Sequence, residues 1–380
     1  MAFRKRNVAV GLQPAAGAGD VMPVSGPGVR PSPLTSHTVT STGTPSLDGL
    51  LGGHAGLTSG SSLLVEESGT TDFAGALLRY YAAEGICQGH VLHVVGMGEG
   101  WVRELPGVAE EKKSSSRSAK STADEEKMKI AWRYEKLGQA GERALPDRTA
   151  PASSSSTAQA SAPFCHTFDL TKRIVIPPDA KVNHIPITPS SSLDSIIQNL
   201  SRVLASSPAN SIHRLVVPSL LSPALYSPLA GRPESFISFF RSLRTLLRQH
   251  TNKLTAVISL PLELYPRISG IVRWAEILSD GVFELTPFPH LMDASNSLAE
   301  SGGAREKDEQ PQGLVRFHKL PINTERGEGG AGAGNSLGED LAFTVSRRKF
   351  VIKPFSLPPM EGDQEAQREA GKVTAKDMQF

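Results

Sequence analysis

The sequence has little cysteine, little aromatic character, no surplus of charge and no long apolar run. Among its 380 residues only Cys87 and Cys165 are cysteine, far apart and outside any CxxC or Cys/His spacing. That argues against a disulfide scaffold and a metal site, and it fits a reducing compartment. Forty Lys and Arg face 38 Asp and Glu, so bulk charge demands no polyanionic partner, and any nucleic-acid surface has to be a local patch. No stretch of about 18 apolar residues offers a spanning helix, and the apolar run in "MAFRKRNVAVGLQPAAGAGD" is too broken for a signal segment. The expectation is a cytoplasmic and nuclear chain with no membrane contact.

What is present is glycine (35), proline (28) and several serine runs, beside a 39% hydrophobic content that suffices for a core. Residues 1–37 are Pro/Gly/Ala-rich and are expected to be disordered. A single domain is expected over 38–360, interrupted by polar, disordered insertions near 108–126, 138–163, 293–312 and 325–339, with a tail at 361–380.

Thr44 as N-cap, Pro45 as first helical residue and Gly52–Gly53 as stop predict a short helix, Pro45 to Leu51. "SSLLVE" then reads as a buried strand, 61–66, and Asp72 to Glu84 as a broadly apolar helix. "HVLHVVG", 90–96, is a second buried strand, and "GEGWVRELPG" after it reads as a loop.

Further on, Leu193, Ile196, Ile197, Leu200, Val203 and Leu204 fall at helical spacing, with Ser191 and Asp194 placed as a capping box. "HRLVVPS" and "TAVISLP" are strands flanking a helix, Glu234 to His250, whose core face carries Phe236, Phe239, Phe240, Leu243, Leu246 and Leu247. A helix near Pro266 to Leu278, a strand at 282–286, a strand in "GLVRFHKLP" and a hairpin in "LAFTVSRRKFVIKPFSLPP" complete the pattern. Strand and helix alternate, so the fold class is α/β, a largely parallel sheet with helices on both faces and a C-terminal β-hairpin.

The strand–turn–helix "LLVEESGTTDFAGALLRYYAAEG" is where a nucleotide-binding domain would place its phosphate loop. A P-loop needs glycines that let backbone N–H groups wrap the phosphates, a lysine, and a hydroxyl for magnesium. Between Glu67 and Asp72 stand only Ser68, Gly69, Thr70 and Thr71, with no lysine. Glu66 and Glu67 would meet a triphosphate with like charge, about 4 kcal/mol per pair at 4 Å and an effective dielectric of 20. Gly69, Thr70 and Thr71 are therefore read as a degenerate P-loop position, with Thr70 or Thr71 as N-cap and Asp72 on the positive end of the helix dipole. Pro218 and Ser219 stand where a magnesium-binding Asp would follow the strand "RLVVPS". No cofactor is expected.

Pairing Cys87 or Cys165 with His90 or His166 would make a nucleophile and base, but free apolar cysteines explain both thiols better. Glu66 and Glu67 are not an acid/base dyad, since neighbours on a strand point to opposite faces. The basic residues leave two readings open. Arg241, Arg244 and Arg248 share one helix face, and Arg347, Arg348 and Lys349 cluster at the hairpin tip with no acid between Leu341 and Met360. They form either solvated charged faces or contacts to a phosphate backbone.

Taken together and in order, "STGTPSLDGLLGG", "LLVEESGTTDFAGALLRYYAAEGICQGH", "KIAWRYEKL", "FCHTFDLTKRI", "QGLVRFHKLP" and "LAFTVSRRKFVIKPFSLPP" resemble the PAXNEB family, the fourth subunit of the Elongator complex. The first motif alone also resembles the start of RecA/KaiC-like ATPases. The resemblance implies a RecA-like domain without a standard P-loop, placed in a heterohexameric ring with Elongator subunits 5 and 6. That ring would bind tRNA and support C5 modification of wobble uridine, with the catalytic chemistry in the subcomplex of subunits 1, 2 and 3. On this reading the chain has no catalytic residue. The alternative is a RecA/KaiC-like ATPase with an atypical phosphate loop.

Overall fold

The structure, a computed structural model, describes residues 26–35, 37–109, 163–188, 191–288, 311–321, 340–346 and 349–355. The bulk of each expected insertion, the C-terminal tail, "KIAWRYEKL" and the tip residues Arg347 and Arg348 lie outside the described residues.

A nine-stranded sheet runs through the domain in the order β14-β13-β12-β11-β4-β10-β9-β5-β8. Its parallel part comprises β4 (Ser62–Glu67), β5 (Val91–Val95), β8 (Val182–Ile185), β9 (His213–Val217), β10 (Leu254–Pro261) and β11 (Gly281–Pro287). Antiparallel strands β12 (Gly313–Lys319), β13 (Leu341–Val345) and β14 (Phe350–Pro354) extend one edge, the last two as the expected hairpin. Two small sheets stand apart from it, one of β1 (Val29–Pro31), β2 (Thr38–Thr40) and β3 (Leu57–Thr58), and one of β6 (Pro106–Val108) and β7 (Phe168–Arg173). Strand β1 falls inside the 1–37 segment, so order begins earlier than its composition suggests, because this short strand pairs with β2.

Strand alternation sorts the core onto two faces. Leu63 and Val65 of β4, Val216 of β9 and Val257 of β10 meet α1 (Pro45–Leu50) and α2 (Phe73–Cys87). Their neighbours Leu64, Leu215, Val217, Ala256 and Ile258 meet α4 (Leu193–Ser206), α5 (Pro233–Gln249) and α6 (Gly270–Leu278). The Phe/Leu stripe of α5 is buried as its spacing requires, with Phe236 and Phe239 fully so. A short helix, α3 (Glu99–Arg103), occupies the segment read as a loop after β5.

Two caps differ from expectation. The residue preceding α4 is Ser192, and Ser191 instead accepts a hydrogen bond from the Thr188 N–H, so it braces the incoming loop. Thr44 stands at the N-cap of α1 ahead of Pro45, as expected, but its hydroxyl makes no capping bond. Asp48, one turn in, organises that segment by accepting from Ser41 Oγ, Thr42 N and Thr42 Oγ1. Gly43 is confined there by its φ of +78° and by Tyr80 O, which lies 2.4 Å from where a Cβ would be.

Candidate functional site

In an open α/β sheet, ligands bind beyond the carboxyl ends of the strands where successive connections diverge. Here β4 leads through α2 on one face to β5, and β10 leads through α6 on the other face to β11. The divergence lies between β4 and β10, which pair directly, so the "ESGTTD" turn sits at the switch point.

That turn is closed by the chain itself. The Glu67 carboxylate accepts the Phe73 N–H at 2.8 Å, the Ala74 N–H at 3.0 Å and the Thr71 hydroxyl at 2.7 Å. These N–H groups open α2 and are the ones a phosphate would take. Burial pushes the Glu67 carboxyl up, and the Thr71 hydroxyl and the two N–H groups counter it. The anticipated caps, Thr70 and Thr71, do not cap. Asp72 is the flanking residue, makes no capping bond, and pairs with Arg79 at 3.0 Å over an exposed surface. The carboxylate on the helix end is thus Glu67, six residues ahead of the first N–H it serves. Gly69 sits at φ +87°, with only Pro287 near a notional Cβ at 4.0 Å, so the turn geometry requires the glycine and no close approach does.

Glu66 points to the other face, as strand alternation demands, and enters a different environment. Its side chain is fully buried, neither carboxylate oxygen has a hydrogen-bond partner among the described residues, and the Arg267 Nε is 3.8 Å away. Burial, with Glu276 adding to it, pushes the Glu66 carboxyl up to about 8 against the pull of Arg267. Arg267 is ion-paired with Glu276. Across the strand register, Glu284 accepts from Ser68 Oγ at 2.9 Å and lies 2.9 Å from His318 Nε2. The His318 bond holds the Glu284 carboxyl below its ordinary range. Glu66, Glu276 and Glu284 thus gather around Arg267 on the face opposite Glu67. At the end of β9, where Pro218 and Ser219 replace a magnesium-binding Asp, Ser219 donates its N–H to Ser259 Oγ.

Burial disfavours the thiolate form of both cysteines, pushing Cys87 up to about 11 and Cys165 up to about 12. Both nitrogens of His90 are engaged, by Arg214 Nε at 2.9 Å and Pro27 O at 2.9 Å, and His166 is held on Glu84. Among the described residues no cluster of His, Cys, Asp and Glu could hold a metal ion, and no helix is long and apolar enough to cross a membrane.

Arg241, Arg244 and Arg248 lie together along α5, but Arg248 is bound to Asp280 at 3.1 Å. Lys349 is exposed at the start of β14, while its expected companions Arg347 and Arg348 are outside the described residues.

Sequence reading missed the buried polar residues. Arg214, in the otherwise apolar β9, is fully buried. It donates to His90 Nδ1, Ser41 O, Tyr81 O and Thr40 Oγ1, all within 3.1 Å, and tethers the "STGTP" segment to the sheet. His93 and His213 stack 2.9 Å apart, nitrogen to nitrogen, in a chain from Asn183 to Ser211. With Asn183 Nδ2 donating to His93 Nδ1, the His93 proton sits on Nε2 and faces His213 Nδ1. Burial pushes His93 down to about 3 and His213 down to about 4. An Arg or His inside an apolar strand is the one sequence signal that could have found them.

The family model described as PAXNEB protein matches residues 22–380, almost the whole chain. The chain belongs to the PAXNEB family. A family relative named Elongator complex protein 4, from Schizosaccharomyces pombe, is 35% identical over 351 residues, covering 89% of this chain and 90% of the relative. Proteins of the same name from Homo sapiens and Saccharomyces cerevisiae are 30% and 28% identical, covering 88% and 90% of this chain and 80% and 78% of their own lengths. Among solved structures, the KaiC-like protein PH0186 from Pyrococcus horikoshii OT3 aligns with a TM-score of 0.41 at 16% identity, covering 84% of this chain and all of that one.

Proposed function

We propose that this chain is a non-catalytic, RecA-like subunit of the Elongator complex. It forms a heterohexameric ring with subunits 5 and 6, binds tRNA as part of that ring, and supports C5 modification of wobble uridine by the subcomplex of subunits 1, 2 and 3, in cytoplasm and nucleus. Family membership supports the assignment to Elongator. The observation that carries the non-catalytic part is the Glu67 carboxylate seated on the first N–H groups of α2, where a nucleotide phosphate would have to sit. A phosphate there must displace a buried carboxylate that already has three donors.

The test is purification of the tagged protein from its source, followed by identification of co-eluting chains and measurement of tRNA binding by the eluate. Co-elution of the other Elongator subunits with tRNA-binding activity is expected. An eluate without them would sink the proposal.

A further inference from the structure

Surface arginines on this protein come in two kinds. Arg79, Arg103, Arg248 and Arg267 each have a carboxylate within 4.0 Å. Several others have none among the described residues, and three of these, Arg202 of α4 and Arg241 and Arg244 of α5, line two clefts that adjoin at Arg241 and Thr245. The larger cleft, about 940 Å³, lies between α4 and α5, and Arg202 and Arg241 both line it. The smaller, about 480 Å³, continues along α5 past Arg244 towards Arg248 and Leu278.

Like charges gathered in one groove raise its potential for anions, and Glu234 is the single acid lining either cleft. Ser201, Ser238, Ser242 and Thr245 add hydroxyl donors to the walls. At about 1.5 Å rise per residue, Arg241 and Arg244 stand about 4.5 Å apart along the α5 axis, with Arg202 across the groove. Planar guanidinium forks lining one groove, with hydroxyls between them, have the donor chemistry to hold phosphates of a nucleic-acid backbone.

We propose that the α4–α5 groove is a phosphate-backbone contact for tRNA, made by Arg202, Arg241 and Arg244. Arg248 is excluded because Asp280 already holds it. This inference rests on the reading that the assembly binds tRNA, and it adds where on this subunit the contact lies.

The experiment measures unfractionated tRNA binding by the assembly that co-purifies with the chain, as a function of salt. It compares the unaltered protein with Arg202→Gln/Arg241→Gln/Arg244→Gln and with Arg103→Gln, a control on α3 outside both clefts. Removing three phosphate contacts should flatten the log–log salt slope by about two to three and weaken binding roughly tenfold or more, while the control changes neither. If the triple variant is not recovered in the assembly, Arg241→Gln alone should flatten the slope by about 0.7 to 0.9. Unaltered affinity and slope in these variants, when the parent assembly binds tRNA, would overturn the inference and leave the tRNA reading standing. A parent assembly that does not bind tRNA overturns that reading first. Polyglutamate binding that the variant loses while tRNA binding persists would overturn the inference in favour of an acidic protein partner.

Discussion

The two faces of the sheet treat charge in opposite ways. On the α1–α2 face, charged groups are saturated by the chain: Glu67 holds the helix start, Asp48 holds Ser41 and Thr42, and Arg214 uses its donors on four partners. On the α4–α6 face Asp280 holds Arg248 and Glu276 holds Arg267, but Arg202, Arg241 and Arg244 are left without carboxylates, and Glu66 without a hydrogen bond, among the described residues. A charge that the chain satisfies itself holds the fold and has no capacity left for a ligand. A charge left unsatisfied is either a cost to stability or an opening for a partner.

The strongest challenge to this contrast is Arg214→Met. It strands His90, Thr40 and two carbonyls in a dry interior and removes the cation near Asp48, a loss of about 3–5 kcal/mol by analogy with broken buried pairs. A fall of roughly 10 °C or more in the midpoint of thermal denaturation, or failure to recover folded protein, is expected.

Glu67→Ala comes next. Freeing the Phe73 and Ala74 N–H groups should lower stability by about 1–2 kcal/mol, measured by denaturant titration, whereas Thr70→Ala should be nearly silent because Thr70 does not cap. Equal effects from the two variants would mean that the threonine, not Glu67, closes the turn.

Acid should expose the buried imidazoles. His90 and His93 are pushed down to about 3 and His213 to about 4, so the unfolded chain binds their protons first as pH falls below 6.5. Their contribution is complete above pH 6.5 and is lost as pH drops from there towards 4 and 3. Charging His213 also sets N–H against N–H across its 2.9 Å contact with His93, and charging His93 sets its Nδ1–H against the Asn183 amide N–H. His93→Gln should flatten this limb in a series of denaturation midpoints against pH.

Glu66 has the opposite sign. Raised to about 8, it binds its proton more tightly folded than unfolded, so its contribution is present below about 4.5 and lost as pH rises through 8. Glu66→Gln should therefore raise the melting temperature at pH 9 more than at pH 5. The smallest effect belongs to Arg248→Gln, which breaks a half-exposed pair with Asp280 and should cost at most about 1 kcal/mol.

The sheet and its helices could be read from the sequence because buried parallel strands such as "TAVISLP" are continuous apolar runs, and α5 carries an unbroken Phe/Leu stripe. The parts that could not be read depend on partners distant in sequence. Strand β8, "VNHI", has no apolar run, and it is a strand only because β5 offers it an edge. The carboxylate that serves α2, Glu67, lies six residues ahead of the first N–H it takes, outside the window of local capping rules, which point to Thr70, Thr71 and Asp72. Arg241, Arg244 and Arg248 are equivalent in the sequence. Asp280, 32 residues beyond Arg248, separates them.

The central claim is that the phosphate position of this fold is filled by the chain's own Glu67. Titrating the purified chain with ATP and magnesium by calorimetry tests it most directly. The account expects no saturable binding, with Thr70→Ala/Thr71→Ala indistinguishable from the parent. Saturable, magnesium-dependent binding that disappears in that double variant would contradict it and identify an ATPase-type site in the turn.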